Sequence, residues 1–180
     1  VEGFPAIGKR EKFQEDLKNI VEGKADTKQL TALETSINKR FKFQSLAKKI
    51  NEIEDVDSSY ELDNKKQFQK KLNELLAKED NTTNKQLEDL TQELRTLELF
   101  RNLARSIEQL EDRKELTQLG SKKDFKERFN SLSKENKEDK KSLEGDVGKY
   151  LSFQILRDQI NNVETEIVVS NFDNKEKFDN

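Results

Sequence analysis

The carboxylates Asp55, Asp57 and Glu61 are the nearest this chain comes to a reactive cluster. Closely spaced acids in a short linker can offer oxygens to a hard cation, but the glycine and the ligand spacing of a calcium loop are missing. They read as a solvated acidic linker. The chain has no Cys and no His, which removes thiol nucleophiles, disulfides, imidazole bases and the usual transition-metal ligands together. Carboxylates, Lys, Tyr, Ser and Thr remain for acid–base or nucleophilic work, and no arrangement of them forms a catalytic constellation. The expectation is a non-enzyme with no cofactor and no metal.

The elements that would have to position any site are long and thin. Charged residues make up 39% of the 180 and the apolar set only 31%, too polar for one thick core but suited to helices that each bury a stripe. A single proline, Pro5, and six glycines leave long stretches free of helix breakers. Regular apolar spacing argues against disorder. The net charge is −3, with acids and bases interleaved. No basic stripe is present for a phosphate backbone, so nucleic-acid binding is not expected. No apolar run is long enough to span a membrane, and no signal segment is visible.

A repeat dominates the pattern. Phe43–Glu54 (FQSLAKKINEIE) returns as Phe100–Glu111 (FRNLARSIEQLE) and Phe153–Glu164 (FQILRDQINNVE). Each copy closes a long helix of about 25–28 residues. A short amphipathic helix precedes each long one: Lys9–Glu22, Asn64–Lys78 and Lys122–Ser133. The repeated phenylalanines Phe13, Phe43, Phe68, Phe100, Phe125 and Phe153 are all expected in the core. A fourth short copy starts at Asn174–Phe178, and Val1-Glu2 matches the end of a long helix, so a longer array is expected. Asp26 or Thr27 can cap the first long helix and Thr83 or Asn84 the second. Ser142, with Gly145 and Gly148 behind it, makes a weaker start for the third, after a connector over Lys134–Lys141.

Inside each long helix the apolar phase slips. Leu87, Leu90, Leu94, Leu97, Phe100, Leu103, Ile107 and Leu110 advance by 3, 4, 3, 3, 3, 4 and 3. A coiled-coil seam alternates 3 and 4, and consecutive steps of three break it as a stammer does. From Leu94 to Leu103 the helix turns ~900°, half a turn out of register. The two halves therefore need different partners. The C-terminal half of one long helix, the next short helix and the N-terminal half of the next long helix supply an up-down-up set. The predicted fold is all-α: an elongated tandem array of short antiparallel three-helix coiled-coil bundles sharing long helices, similar in outline to a miniature spectrin. Its parts are a partial repeat over 1–42, complete bundles over 43–98 and 99–151, and a partial repeat over 152–180.

The linker apolar residues have two readings. Phe4, Tyr60, Val168 and Phe172 either cap the ends of bundles or stand exposed as partner contacts, and they are the candidate contact residues. Ile167-Val168-Val169 could also form a short extended segment.

The FQSLAKKINEIE, FRNLARSIEQLE and FQILRDQINNVE copies, the NKKQF and NKEKF helix starts, the Lys/Asn-rich composition and the absence of Cys, His, Met and Trp resemble the repeat region of the variable adherence-associated antigens. These are mycoplasma surface lipoprotein adhesins. The resemblance implies a cell-surface, lipid-anchored, elongated adhesin with a variable number of repeats, antigenic variation, and a host-cell surface receptor as its partner. A lipidated Cys and a signal segment would then precede Val1, and that anchor would be the sole membrane attachment. A monomer is expected. The alternatives are a three-helix module for a soluble host protein such as albumin, immunoglobulin or a complement factor, and an intracellular structural spacer.

Overall fold

The computed structural model describes residues 9–23, 26–132 and 136–163. Among them are six α-helices and no strand: α1 (Arg10–Glu22), α2 (Thr27–Asn51), α3 (Lys65–Ala77), α4 (Asn84–Glu108), α5 (Lys122–Asn130) and α6 (Lys137–Asn161). Two 3-10 turns, Glu79–Asn81 and Lys114–Leu119, lie in the connectors after α3 and α4. The all-α class expected from the periodicity is the one observed. The chain divides into two compact units, Val1–Ala104 and Arg105–Asn180.

Local chemistry sets the helix starts. The Asp26 side chain accepts from Lys28 N at 2.9 Å to cap α2. Asn64 and Gln67 form a reciprocal capping box on α3, and Thr83 with Gln86 does the same on α4; each satisfies amide groups the first turn leaves without partners. A second carboxylate reinforces the short helices from outside. Asp55 Oδ1 accepts from Lys65 N and Asp112 Oδ1 from Lys122 N, both at 2.9 Å and both ten residues apart. The acidic linker residue Asp55 thus serves backbone, and Asp57 likewise accepts from Ser59 N at 2.8 Å.

The third long helix corrects the expected start at Ser142. Here α6 begins at Lys137, capped by Asn136 on Asp139 N at 3.2 Å, and runs through Gly145 and Gly148. Glu138 and Asp139 in its first turn complement the positive end of the helix dipole, which helps offset the two glycines. With that start, α2, α4 and α6 are each 25 residues long. Counted from their first residues, Phe43, Phe100 and Phe153 fall in register, as do Leu46, Leu103 and Leu156, and Ile50, Ile107 and Ile160. All three also end alike: the amides of Ile53, Leu110 and Val163 donate to Ile50, Ile107 and Ile160 oxygens at 3.0–3.1 Å. The expected boundaries at the Glu of each copy move back to Asn51, Glu108 and Asn161, because this turn closes the helix first.

In the first unit one core joins three helices. It takes Phe43, Leu46, Ala47 and Ile50 from α2 with Ile53 just beyond it, Phe68 and Leu72 from α3, and Leu87, Leu90, Leu94 and Leu97 from α4. From α4 these are the residues of its N-terminal apolar ladder; Leu103, Ala104, Ile107 and Leu110 are buried as well. Helices α2 and α3 run antiparallel. Asn51 near the end of α2 meets Gln69 early in α3 at 3.1 Å, while Lys39, mid-α2, reaches the Glu79 carbonyl beyond the end of α3 at 3.0 Å. Helix α1 packs on α2.

In the second unit α5 and the Lys114–Leu119 turn pack on α6. Phe125 meets Tyr150 edge to face, with centroids 5.9 Å apart at 83°. The buried Tyr150 hydroxyl donates to the Glu111 carbonyl at 2.8 Å and accepts from Arg113 N at 3.3 Å. Gln154 accepts from Glu111 N at 2.7 Å and donates to the Gln109 carbonyl at 3.1 Å. The linker after α4 is thereby pinned to α6. Gly120 sits at φ 119°, and a Cβ there would approach the Phe125 ring to 3.1 Å, so only glycine fits without strain.

Candidate interaction surface

Of the residues singled out as partner contacts, Phe4, Val168 and Phe172 lie outside the described residues, as do the extended segment at Ile167-Val168-Val169 and the short helix start at Asn174–Phe178. Tyr60 is described and is 3% exposed. It faces a cavity region shared with Val56, Leu62 and Leu97. As a surface contact it is corrected: its ring presents almost nothing to a partner, and the end-capping alternative matches its burial.

The exposed apolar surface lies elsewhere, and the repeat register makes it conspicuous. Phe43 and Phe100 are buried, while Phe153, expected in the core with them, is corrected: it is 42% exposed. Leu46 and Leu103 are buried, while Leu156 is half exposed. Ile50 and Ile107 are both at 0%, and Ile160 is at 64%. Val163, matching Ile53 and Leu110, is more exposed still. The C-terminal face of α6 is therefore the same ladder as in α2 and α4, without a cover among the described residues.

The N-terminal helices present the complementary case. Measured from its start, α1 aligns with α3, so Leu17 stands where Leu72 does; Leu72 is fully buried and Leu17 is 47% exposed. In α2, Leu30 stands where the buried Leu87 does and is itself exposed. Phe13 and Leu17 of α1, with Leu33, Ile37 and Phe41 of α2, line an apolar groove of about 490 Å³. The repeat pattern predicts incomplete repeats at both ends, whereas the candidate contacts it suggests lie in the linkers. The signal for these faces is in the ladder itself: within the described chain the C-terminal half of α6 lacks two partner segments, and α1 with the first half of α2 lacks one.

The main buried charge sits beside this groove. Arg40, 3% exposed, occupies the register position of Leu97 and Tyr150. Its guanidinium holds the Glu79 carboxylate through both Nε and Nη2, and Lys9 Nζ adds a contact at 3.3 Å. Burial alone would raise the Glu79 carboxyl, but the hydrogen bonds and charges of Arg40 and then Lys9 outweigh it and hold Glu79 below the usual carboxylate range. Lys71 is a parallel case. Burial pulls it down, and Glu93 at 2.9 Å with Asp63 at 3.3 Å raise it overall. These groups are paired with one another and tie connectors to helices; their geometry is that of structural ion pairs.

Among the described residues, no group of three or more His, Cys, Asp or Glu converges on a metal position, and no helix is long and apolar enough to cross a membrane. No family model, curated protein or solved structure matches the chain.

Proposed function

We propose that this chain is a non-catalytic segment of an elongated tandem array of antiparallel three-helix bundles that share their long helices, with bundles over 43–98 and 99–151 flanked by partial repeats over 1–42 and 152–180. The observation carrying this is the common register of three 25-residue helices, whose matching ladders are buried at Phe43–Ile53 and Phe100–Leu110 and exposed at Phe153–Val163. Each repeat then contacts only its neighbours, and stability is a sum of repeat and interface terms.

A stack of this kind suits a spacer that carries binding surfaces away from an anchor. Together with the resemblance of the FQSLAKKINEIE-type copies to adhesin repeats, it supports a role as the repeat region of a bacterial surface adhesin. The proposed partner is a receptor on the host cell, and attachment to the membrane runs through a lipid anchor on the full protein. The test is binding of the purified, fluorescently labelled chain to cultured host cells, run beside a pull-down from serum. Saturable cell binding with no serum protein retained supports the adhesin. Retention of albumin, immunoglobulin or a complement factor without cell binding replaces it with a module for soluble host proteins, and neither activity refutes both.

A further inference from the structure

In the second unit, Tyr150 and Gln154 of α6 hold the linker after α4 through the Glu111 carbonyl, the Arg113 and Glu111 amides and the Gln109 carbonyl. In the first unit their register equivalents are Leu97 and Arg101 of α4, beside the linker after α2. Leucine bonds nothing there, and an arginine can donate but cannot accept from an amide as Gln154 does. The corner stays open. Arg101 lines two neighbouring cavities of about 360 and 340 Å³, and its Nε is buried with no acceptor, which is rare for a buried donor.

The two cavities differ in chemistry. The cavity of about 340 Å³ is walled by linker acids that are already engaged. Asp55 and Asp57 accept from the Lys65 and Ser59 amides, and Asp63 pairs with Lys71. The cavity of about 360 Å³ lies between the end of α2 and the middle of α4, on an apolar floor of Ile53, Leu94 and Leu97. Leu94, at 9%, is the least covered of the buried residues in the first core. Lys49, Arg95 and Arg101 stand around this floor with Glu52 and Glu98, and none of the five is in an ion pair among the described residues. Three cations against two carboxylates leave one positive charge. The volume falls within the ~300–1,000 Å³ of small-molecule sites.

We propose that this cavity binds the anion of an aliphatic monocarboxylic acid, with its tail on Ile53, Leu94 and Leu97 and its carboxylate on the Arg101 guanidinium. The planar guanidinium fork matches a carboxylate through two parallel hydrogen bonds. Turning the Nε edge of Arg101 toward the cavity gives that buried donor its acceptor. The single surplus charge favours a monoanion, since a phosphate dianion crowds against Glu52 and Glu98 and leaves the apolar floor uncovered. The site goes beyond the adhesin role and does not depend on it.

The test is an NMR titration of the full isotope-labelled chain with sodium octanoate, read at the Leu94 and Leu97 amides and at the Arg101 Nε–H. With about ten non-hydrogen atoms, octanoate should bind with a Kd on the order of 1 mM, so the titration runs to roughly 20 mM. Saturable shifts at all three positions are expected, with acetate, which lacks the tail, and inorganic phosphate weaker by about tenfold or more. Arg101→Gln should abolish saturable binding. Glutamine already stands at this position in the other long helices, as Gln44 and Gln154, so the variant should keep the fold, checked by circular dichroism. Lys149→Gln, the same charge change in the second unit, should bind like wild type. Should Arg101→Gln lose its fold, the Arg101 Nε–H of the wild type decides, since it must move with the same saturation as the Leu94 amide. Absence of saturation with octanoate overturns the proposal. So does an Arg101→Gln variant that binds octanoate like wild type, or acetate or phosphate binding as tightly as octanoate. Failure here with intact host-cell binding removes only this inference, and octanoate binding without host-cell binding removes only the adhesin role.

Discussion

Ile50, Ile107 and Ile160 offer a comparison in which residue type, helix length and register are held fixed and only the cover differs. The first two are at 0% exposure and the third at 64%. Truncation to Ala removes three carbons in each case. Where the site is fully packed, the lost transfer energy and the cavity left behind cost about 2–5 kcal/mol. At Ile160 little packing is lost, and the change stays within about ±0.5 kcal/mol. The assay is urea unfolding followed at 222 nm. With a slope of about 1–3 kcal/mol per molar urea, a loss of 3 kcal/mol at Ile50 or Ile107 lowers the midpoint of the affected transition by about 1 M or more. Ile160→Ala leaves the midpoint within about 0.5 M. An Ile160→Ala cost matching Ile50→Ala would refute the reasoning, because it would place a cover over α6 in dilute solution. A negligible cost at Ile107 would refute it equally.

Other outcomes follow from single contacts. Gly145 and Gly148 have open space where a Cβ would go, so Gly145→Ala and Gly148→Ala should each stabilise α6 by about 0.5–1 kcal/mol, read as a rise in the melting temperature of the second unit. Glu79→Ala strips the buried Arg40 guanidinium of its carboxylate and should cost about 3–5 kcal/mol, whereas Arg40→Leu with Glu79→Gln should cost far less, since leucine already fills this position at Leu97. Because the folded Glu79 carboxyl lies below its usual value, its contribution is present above the unfolded carboxylate pKa of about 4.3 and disappears as pH falls through the folded value; Glu79→Gln should flatten the stability profile in that acidic window. Asp55→Ala and Asp112→Ala each remove the same cap on a short helix and should cost similar amounts, about 0.5–2 kcal/mol, by urea midpoint.

The helices themselves were legible because the ladders repeat: Phe43, Leu46 and Ile50 return at fixed spacing, and the short helices announce themselves through Phe13, Phe68 and Phe125. The start of α6 was not. Gly145 and Gly148 lowered the apparent helicity of a stretch that Asn136 caps six residues before Ser142, and an amide-capping side chain is only one of several polar residues in that connector. The Asp55 and Asp112 caps act across ten residues, beyond the three- or four-residue window in which capping leaves a sequence signature. Arg40 and Glu79 are 39 residues apart, and pairing at that distance has no local code, although an arginine where the other copies carry Leu97 and Tyr150 was a visible irregularity. Tyr60 was ambiguous because a lone aromatic among Asp57, Ser58, Ser59 and Glu61 has no periodic neighbours to assign it a face. The bare faces of α1, α2 and α6 were anticipated as half-bundles, but their depth required knowing which equivalents are buried.

The central claim is that α4 serves one partner set with Leu94 and another with Leu103. A double-mutant cycle tests it directly: Leu94→Ala and Leu103→Ala, each combined with Ile50→Ala, with unfolding free energies measured for singles and doubles. Leu94 shares the first core with Ile50, so the account predicts a coupling of about 0.5–3 kcal/mol for that pair and additivity to within about 0.5 kcal/mol for Leu103 with Ile50. Strong coupling between Leu103 and Ile50 would put both halves of α4 against the same companion and contradict the account.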